Sequence, residues 1–205
     1  MMIVVGIVGR IGAGKSTVAR LLAARGAEVI DADRVAHAVL EEPEVRSEIA
    51  ARFGAEVLDA AGAVRRPALA ARVFGASPRH EADRADLERI VHPRVRRRIE
   101  DRLAAIRSAP RPGATVVVLD VPLLMQAGWD HLCDWLVLVE CDEHQRQRRL
   151  AARGWSEAER LARDQAWNRG YRPPAAEKTC RVDASVDEAY TARQVDGFWN
   201  TLPGN

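Results

Sequence analysis

Ile3-Val4-Val5-Gly6-Ile7-Val8 runs without a break into Gly9-Arg10-Ile11-Gly12-Ala13-Gly14-Lys15-Ser16-Thr17. A continuous apolar, β-branched stretch of this kind has the pattern of a strand buried on both faces. After the glycine-rich segment, Val18, Leu21 and Leu22 recur at helical spacing until Gly26 stops the helix. A second short strand, 27–30, ends at Asp31-Ala32-Asp33. Strand, glycine loop, helix and strand form a βαβ opening, which implies a parallel sheet with right-handed crossovers. The expected fold class is therefore α/β, with a three-layer parallel-sheet core of the P-loop NTPase type.

Beyond this opening, residues from about Val35 to Arg107 read as helices rich in Ala, Arg and Glu, punctuated by Pro43, Pro67, Pro78 and Pro93. Pro110-Arg111-Pro112-Gly113 closes the stretch, and buried-pattern strands resume at 115–119 and 136–139. Asp142 with Gln145 and Ser156 with Glu159 have the spacing of capping boxes for two further helices. Gly170 to Pro174 breaks the second, and a last amphipathic helix is expected from about Asp187 to Leu202. The division expected is a core of 1–36, 112–150 and 184–205, a helical insertion over 37–111 and a lid over 151–183.

With 205 residues, 47% apolar and 29% charged, the chain is long enough to bury a core without disulfides or metal. The apolar run at the start is too short to span a membrane and lacks the flanks of a signal peptide, so a cytoplasmic protein is expected. Three cysteines without C-x-x-C spacing fit reduced packing thiols. A net charge of +2 is far from the footprint of a nucleic-acid binder, and no nucleic-acid, membrane or obligate protein partner is expected. Of the 31 basic residues only Lys15 and Lys178 are lysine, so a lysine inside the glycine loop stands out.

Gly9 to Ser16 fits G-x-x-x-x-G-K-[ST] in full, after a strand and before a helix. Glycines at these positions let successive backbone N–H groups turn toward phosphate oxygens, and the helix N-terminus adds about half a positive charge. Gly9, Gly12, Ala13, Gly14, Lys15, Ser16 and Thr17 are accordingly the expected nucleotide-binding residues. Lys15 serves the β- and γ-phosphates, and the Ser16 hydroxyl can ligate Mg²⁺. Asp120, ending the strand that begins at 115, either breaks that strand or holds the Mg²⁺ of bound ATP. Asp31 and Asp33, two apart after the second strand, can face one way, toward the crevice at the carboxyl ends of a parallel sheet. A carboxylate there suits deprotonation of an acceptor hydroxyl; a helix N-cap is the alternative for Asp33, and the two roles are compatible. Arg149 and Arg153, four apart, share a helix face at the edge of the expected lid, where arginines clamp transferring phosphoryl groups; a solvated basic face is the other reading. The Arg94 to Arg98 run lacks interleaved aromatics and reads as a solvated helix face.

No N-K-x-D guanine motif and no ABC-type signature are present, and the chain is short for a helicase core. A small-molecule kinase is the reading that remains. In this light the chain resembles the dephospho-CoA kinase family over nearly its whole length. The resemblance rests on Gly6 to Thr17, Val29-Ile30-Asp31-Ala32-Asp33, Phe53-Gly54, Gly62, Arg66 through Leu69 to Val73-Phe74, and Leu87-Glu88-Arg89-Ile90-Val91-His92-Pro93. It continues through Val118-Leu119-Asp120-Val121-Pro122-Leu123-Leu124 and Arg149-Leu150-Ala151-Ala152-Arg153. It implies transfer of the ATP γ-phosphate to the ribose 3′-hydroxyl of dephospho-CoA with Mg²⁺, on a parallel-sheet core with a helical CoA-binding domain and a lid. Asp33 would be the general base; His92 either packs at a helix end before Pro93 or meets ligand.

Three places depart from the family pattern. Arg10 stands where the family usually has glycine, at a cost of about 1–2 kcal/mol if the site needs positive φ. Gln126 replaces a usual glutamate, and residues 167–183 match the family's lid and following strand poorly. Two rivals are another small-molecule P-loop kinase and a regulatory or polynucleotide-binding NTPase using the Arg94 to Arg98 stripe.

Overall fold

β1 (Met2–Val8) is the middle strand of five, flanked by β3 (Thr115–Asp120) and then β2 (Glu28–Asp31) on one side, and by β4 (Trp135–Glu140) and then β5 (Thr179–Asp183) on the other. Every pairing is parallel. The computed structural model describes residues 1–75, 77–109 and 115–204. The expected breaker at 110–113 lies outside the described residues.

The chain divides into two compact units, Met1–Asp31 with Ala109–Asn205, and Ala32–Ser108. In the first, α1 (Lys15–Ala24) and α8 (Glu188–Thr201) cover one sheet face. Their Val18, Leu21, Leu22, Val195 and Phe198 bury Val5, Ile7, Val118, Val137 and Val139, with Trp135 meeting Phe198 edge-on at 6.2 Å between ring centres. This is the doubly buried pattern legible in the strand sequences. On the opposite side of β1, a Cβ built on Gly6 would lie within 3 Å of Cys133, Leu136 and Leu124, so only glycine fits the close packing there. α6 (Glu143–Ala152) is capped by Asp142, which accepts from the Gln145 amide at 2.8 Å, and α7 (Glu157–Asn168) by a complete Ser156–Glu159 box.

Two expected boundaries move. The break after β2 falls at Asp31/Ala32, because α2 (Ala32–Val39) begins at the strand's end with no linker. Residues 179–183, assigned to the lid by sequence, form β5 and pair along β4. Only Val182 is fully buried in that strand, so its Thr, Arg and Asp carry none of the apolar run that marks the inner strands.

The second unit is helical: α2, α3 (Pro43–Phe53), α4 (Arg66–Val73) and the 31-residue α5 (Pro78–Ser108). Pro43, Pro67 and Pro78 stand at helix starts, where the missing N–H costs nothing. Pro93 is different, lying inside α5 without ending it. The neighbouring Arg94 guanidinium folds back to the Ile90 carbonyl at 2.6 Å. His92 is exposed in mid-helix, so of its two readings the packing at a helix end is not what the fold provides. Arg94 and Arg98 pair with Glu48 and Glu42, and Arg97 with Asp101, so the basic stripe is largely neutralised within its own unit.

Candidate active site

The glycine loop leaves the carboxyl end of β1, where neighbouring crossovers diverge and an open parallel sheet forms its ligand crevice. Gly14 caps α1 at φ 114° and Gly12 turns at φ 78°. A Cβ on Gly12 would lie 2.9 Å from the Leu150 side chain, so both conformation and space require glycine there. Arg10 does not take positive φ, so the strain conditional on that geometry does not arise at this departure.

Lys15, at the first position of α1, donates from Nζ to the carbonyls of Gly9 at 2.8 Å and Arg10 at 3.2 Å. The ammonium is thereby held over the loop. Ser16 is exposed beside it and Thr17 half-buried, with the Thr17 amide bonded to Gly14 O at 3.0 Å.

Asp31 and Asp120 are register partners at the carboxyl ends of β2 and β3. A serine hydroxyl and paired carboxylates are hard oxygen donors, the set that suits Mg²⁺ completed by waters and phosphates. Among the described residues no group of three His, Cys, Asp or Glu side chains forms a closed metal cage. That is compatible with such a cation, which takes only one or two protein ligands. Just past Asp120, Leu123 is the one described non-glycine residue at positive φ, 53°. Local strain of this kind concentrates at functional loops.

Arg149 reaches the loop from α6. Its Nη1 donates to Ala13 O at 3.1 Å and its Nη2 to Ala184 O at 2.7 Å, joining the loop to the segment after β5. Arg153 is exposed and makes no such contact. The helix ends at Ala152, and as the C-cap residue Arg153 leaves the face that Arg149 occupies. The arginine on the loop side is instead Arg146, three before Arg149, whose side chain is only 3% exposed. It donates to Ile11 O at 3.2 Å and makes ion pairs with Glu143 and Asp164. Burial pulls the Arg146 guanidinium down, but the bonds to Glu143 and Asp164 outweigh it and hold it above its ordinary value. The i, i+3 spacing of 146 and 149 was a legible signal for this pair.

Gln126 donates from Nε2 to the Trp167 carbonyl at 2.5 Å, tying the segment after β3 to α7. Trp167 stacks on Tyr171 with ring centres 4.7 Å apart, and these two face Gly9, Arg10, Leu138, Glu140 and Cys141 across a cavity of about 240 Å³. Asp33 belongs to the other unit, in the first turn of α2 and exposed. One turn further along α2, His37 meets Arg66 at 3.0 Å, a pair that sequence reasoning did not single out.

A model of the family described as dephospho-CoA kinase matches residues 3–177. This chain belongs to the dephospho-CoA kinase family. A dephospho-CoA kinase of Geobacillus kaustophilus is 37% identical over 197 residues, spanning 95% of this chain and 92% of the relative. One from Corynebacterium diphtheriae is 43% identical over 150 residues, 73% of this chain and 72% of that one. Among solved structures, TT1252 from Thermus thermophilus superposes with a TM-score of 0.73 at 33% identity, covering 98% of both chains. Dephospho-CoA kinase from Campylobacter jejuni superposes at 0.65 with 18% identity over 97% of this chain and 96% of that one, a likeness of fold. The α/β class expected from the opening βαβ unit is thus the fold of this family.

Proposed function

We propose that this chain transfers the γ-phosphate of ATP to the ribose 3′-hydroxyl of dephospho-CoA, giving coenzyme A and ADP, the last step of coenzyme A biosynthesis. The observation that carries this reading is the complete Gly9–Ser16 loop at the sheet's switch point, within a chain matched to the family over residues 3–177. Such a loop binds polyphosphate through its amides and the α1 N-terminus.

Lys15 and the loop amides hold the β- and γ-phosphates. Ser16 and Asp120 would hold Mg²⁺, whose chemistry is to neutralise charge on the phosphate oxygens. Asp33 accepts the 3′-hydroxyl proton as that oxygen bonds to the γ-phosphorus and the bond to the β-phosphate oxygen breaks, releasing ADP. Arg149 fixes the loop's shape and adds positive charge beside the transferring group, while Arg153, exposed and off that face, has no part in it. Catalysis on this account is mainly positioning and charge neutralisation. Among the described residues no helix is long and apolar enough to cross a membrane, and we place the enzyme in the cytoplasm, acting without an obligate protein or nucleic-acid partner.

The test is ADP formation from Mg-ATP with dephospho-CoA as sole acceptor, against a blank without acceptor. Turnover that depends on acceptor and yields coenzyme A is the expected result. Turnover with nucleosides or nucleoside monophosphates instead would reassign the acceptor.

A further inference from the structure

Two arginines of the phosphate loop region converge on one carboxylate of α7. Arg10 Nη2 lies 2.8 Å from Asp164 Oδ2, and Arg146 grips both Asp164 oxygens at 3.0 and 2.7 Å. Glu143 closes the ring, receiving Arg10 Nη1 at 3.1 Å and Arg146 Nη2 at 2.6 Å. Arg146 also holds the Ile11 carbonyl. The loop, α6 and α7 therefore meet in one network of two cations and two anions, centred on a guanidinium that is almost wholly buried. Asp164 is itself only 17% exposed, so its pairing is far less screened than that of a surface ion pair.

Removing Asp164 would leave the buried Arg146 with one partner fewer, and a buried charge missing a partner is costly. Asp164 is therefore where α7 is most strongly attached to the loop. Arg10 supplies the second attachment, from within the loop itself. Trp167, one helical turn beyond Asp164, and Tyr171 wall the cavity beside Gly9, so whatever fixes α7 also fixes that wall.

We infer that Arg10 and Arg146 latch α7 onto the phosphate loop through Asp164, and that Asp164 is a positioning residue that keeps the wall formed by Trp167 and Tyr171 closed beside the loop. The latch needs an arginine at position 10. A glycine there, with no side chain, would leave Asp164 paired only with Arg146. The kinetic consequence rests on the kinase reading above; the latch itself does not. With the latch intact, water is kept from the loop side of the cavity and phosphoryl transfer is favoured over hydrolysis.

Amide hydrogen exchange of the full-length protein without substrates tests the latch directly. Arg10→Gly is expected to speed exchange across residues 157–168 by about fivefold, and Asp164→Asn by more, while α8 stays as in the wild type. Asp164→Glu is expected to restore much of the protection. Exchange in Arg10→Gly within about twofold of wild type, from protein with an unchanged melting curve, overturns the latch. Should Asp164→Asn fail to fold, Arg10→Gly carries the test alone. In turnover, Arg10→Gly is expected to raise the ratio of acceptor-independent ATP hydrolysis to transfer by about threefold or more, a readout that general destabilisation would not move. Faster exchange in a protein that never phosphorylates dephospho-CoA would keep the latch and sink the kinase reading; acceptor-dependent turnover with unaltered exchange would do the reverse.

Discussion

Asp31 and Asp120 stand opposite one another where β2 and β3 end, partners in the parallel register. Two carboxylates this placed share one edge of the crevice, so their roles are separable by substitution. Asp120→Asn is expected to lower kcat by about tenfold or more and to raise the Mg²⁺ concentration giving half-maximal rate. Asp31→Asn is expected to act in the same direction more weakly. Titrating Mg²⁺ at saturating ATP checks both, and an unchanged Mg²⁺ requirement in Asp120→Asn would remove Asp120 from the cation.

Lys15→Ala is expected to abolish most activity by removing the ammonium that the Gly9 and Arg10 carbonyls hold over the loop. Asp33→Asn should cut kcat by ~100-fold or more while leaving ATP affinity near normal. Near-normal kcat in Asp33→Asn would take the base role from it.

Arg149 joins Ala13 and Ala184 through two hydrogen bonds from one guanidinium. Arg149→Ala should raise KM for ATP severalfold and lower stability by about 2 kcal/mol, the scale for losing charge-assisted bonds. A urea titration beside a KM measurement separates the two effects, and Arg153→Ala is the comparison in which stability is expected to change little.

The family's usual glutamate is not interchangeable with Gln126 in this chain. The Nε2 proton donated to the Trp167 carbonyl has no counterpart on an ionised carboxylate, and two oxygens would then face each other. Gln126→Glu is therefore expected to destabilise by about 1–3 kcal/mol, measured by chemical denaturation at neutral pH. Part of that loss should be recovered on acidification, as the introduced carboxyl protonates and regains a donor.

Glu143 has its carboxyl held below the ordinary glutamate value, chiefly by the hydrogen bond from Arg146. A depressed acid stabilises the fold above its unfolded value near pH ~4.3, and loses that contribution as pH falls through the lower folded value. The stability difference between wild type and Glu143→Gln should thus be constant near neutrality and shrink below about pH 4. Urea midpoints across that range check the sign.

Much of this protein was legible before any coordinates. The apolar run 3–8, the glycine loop and the helix after it are local features, each dictated by steric and hydrogen-bonding rules that act over a few residues. They identify strand, phosphate loop and α1, and Ser156–Glu159 and Asp187 likewise mark helix starts that the structure contains. What sequence could not decide lay in contacts distant along the chain. β5 is a strand because β4 offers it an unpaired edge, not because 179–183 are apolar. Arg146 rather than Arg153 turned to the loop because α6 ends at Ala152 and Asp164 lies ready on α7 to neutralise a buried guanidinium. Arg10, out of place by family pattern, keeps ordinary backbone geometry and finds Glu143 and Asp164 as partners. Short-range stereochemistry is written in the order of the residues; the pairing of charges and strand edges exists only once the chain has folded.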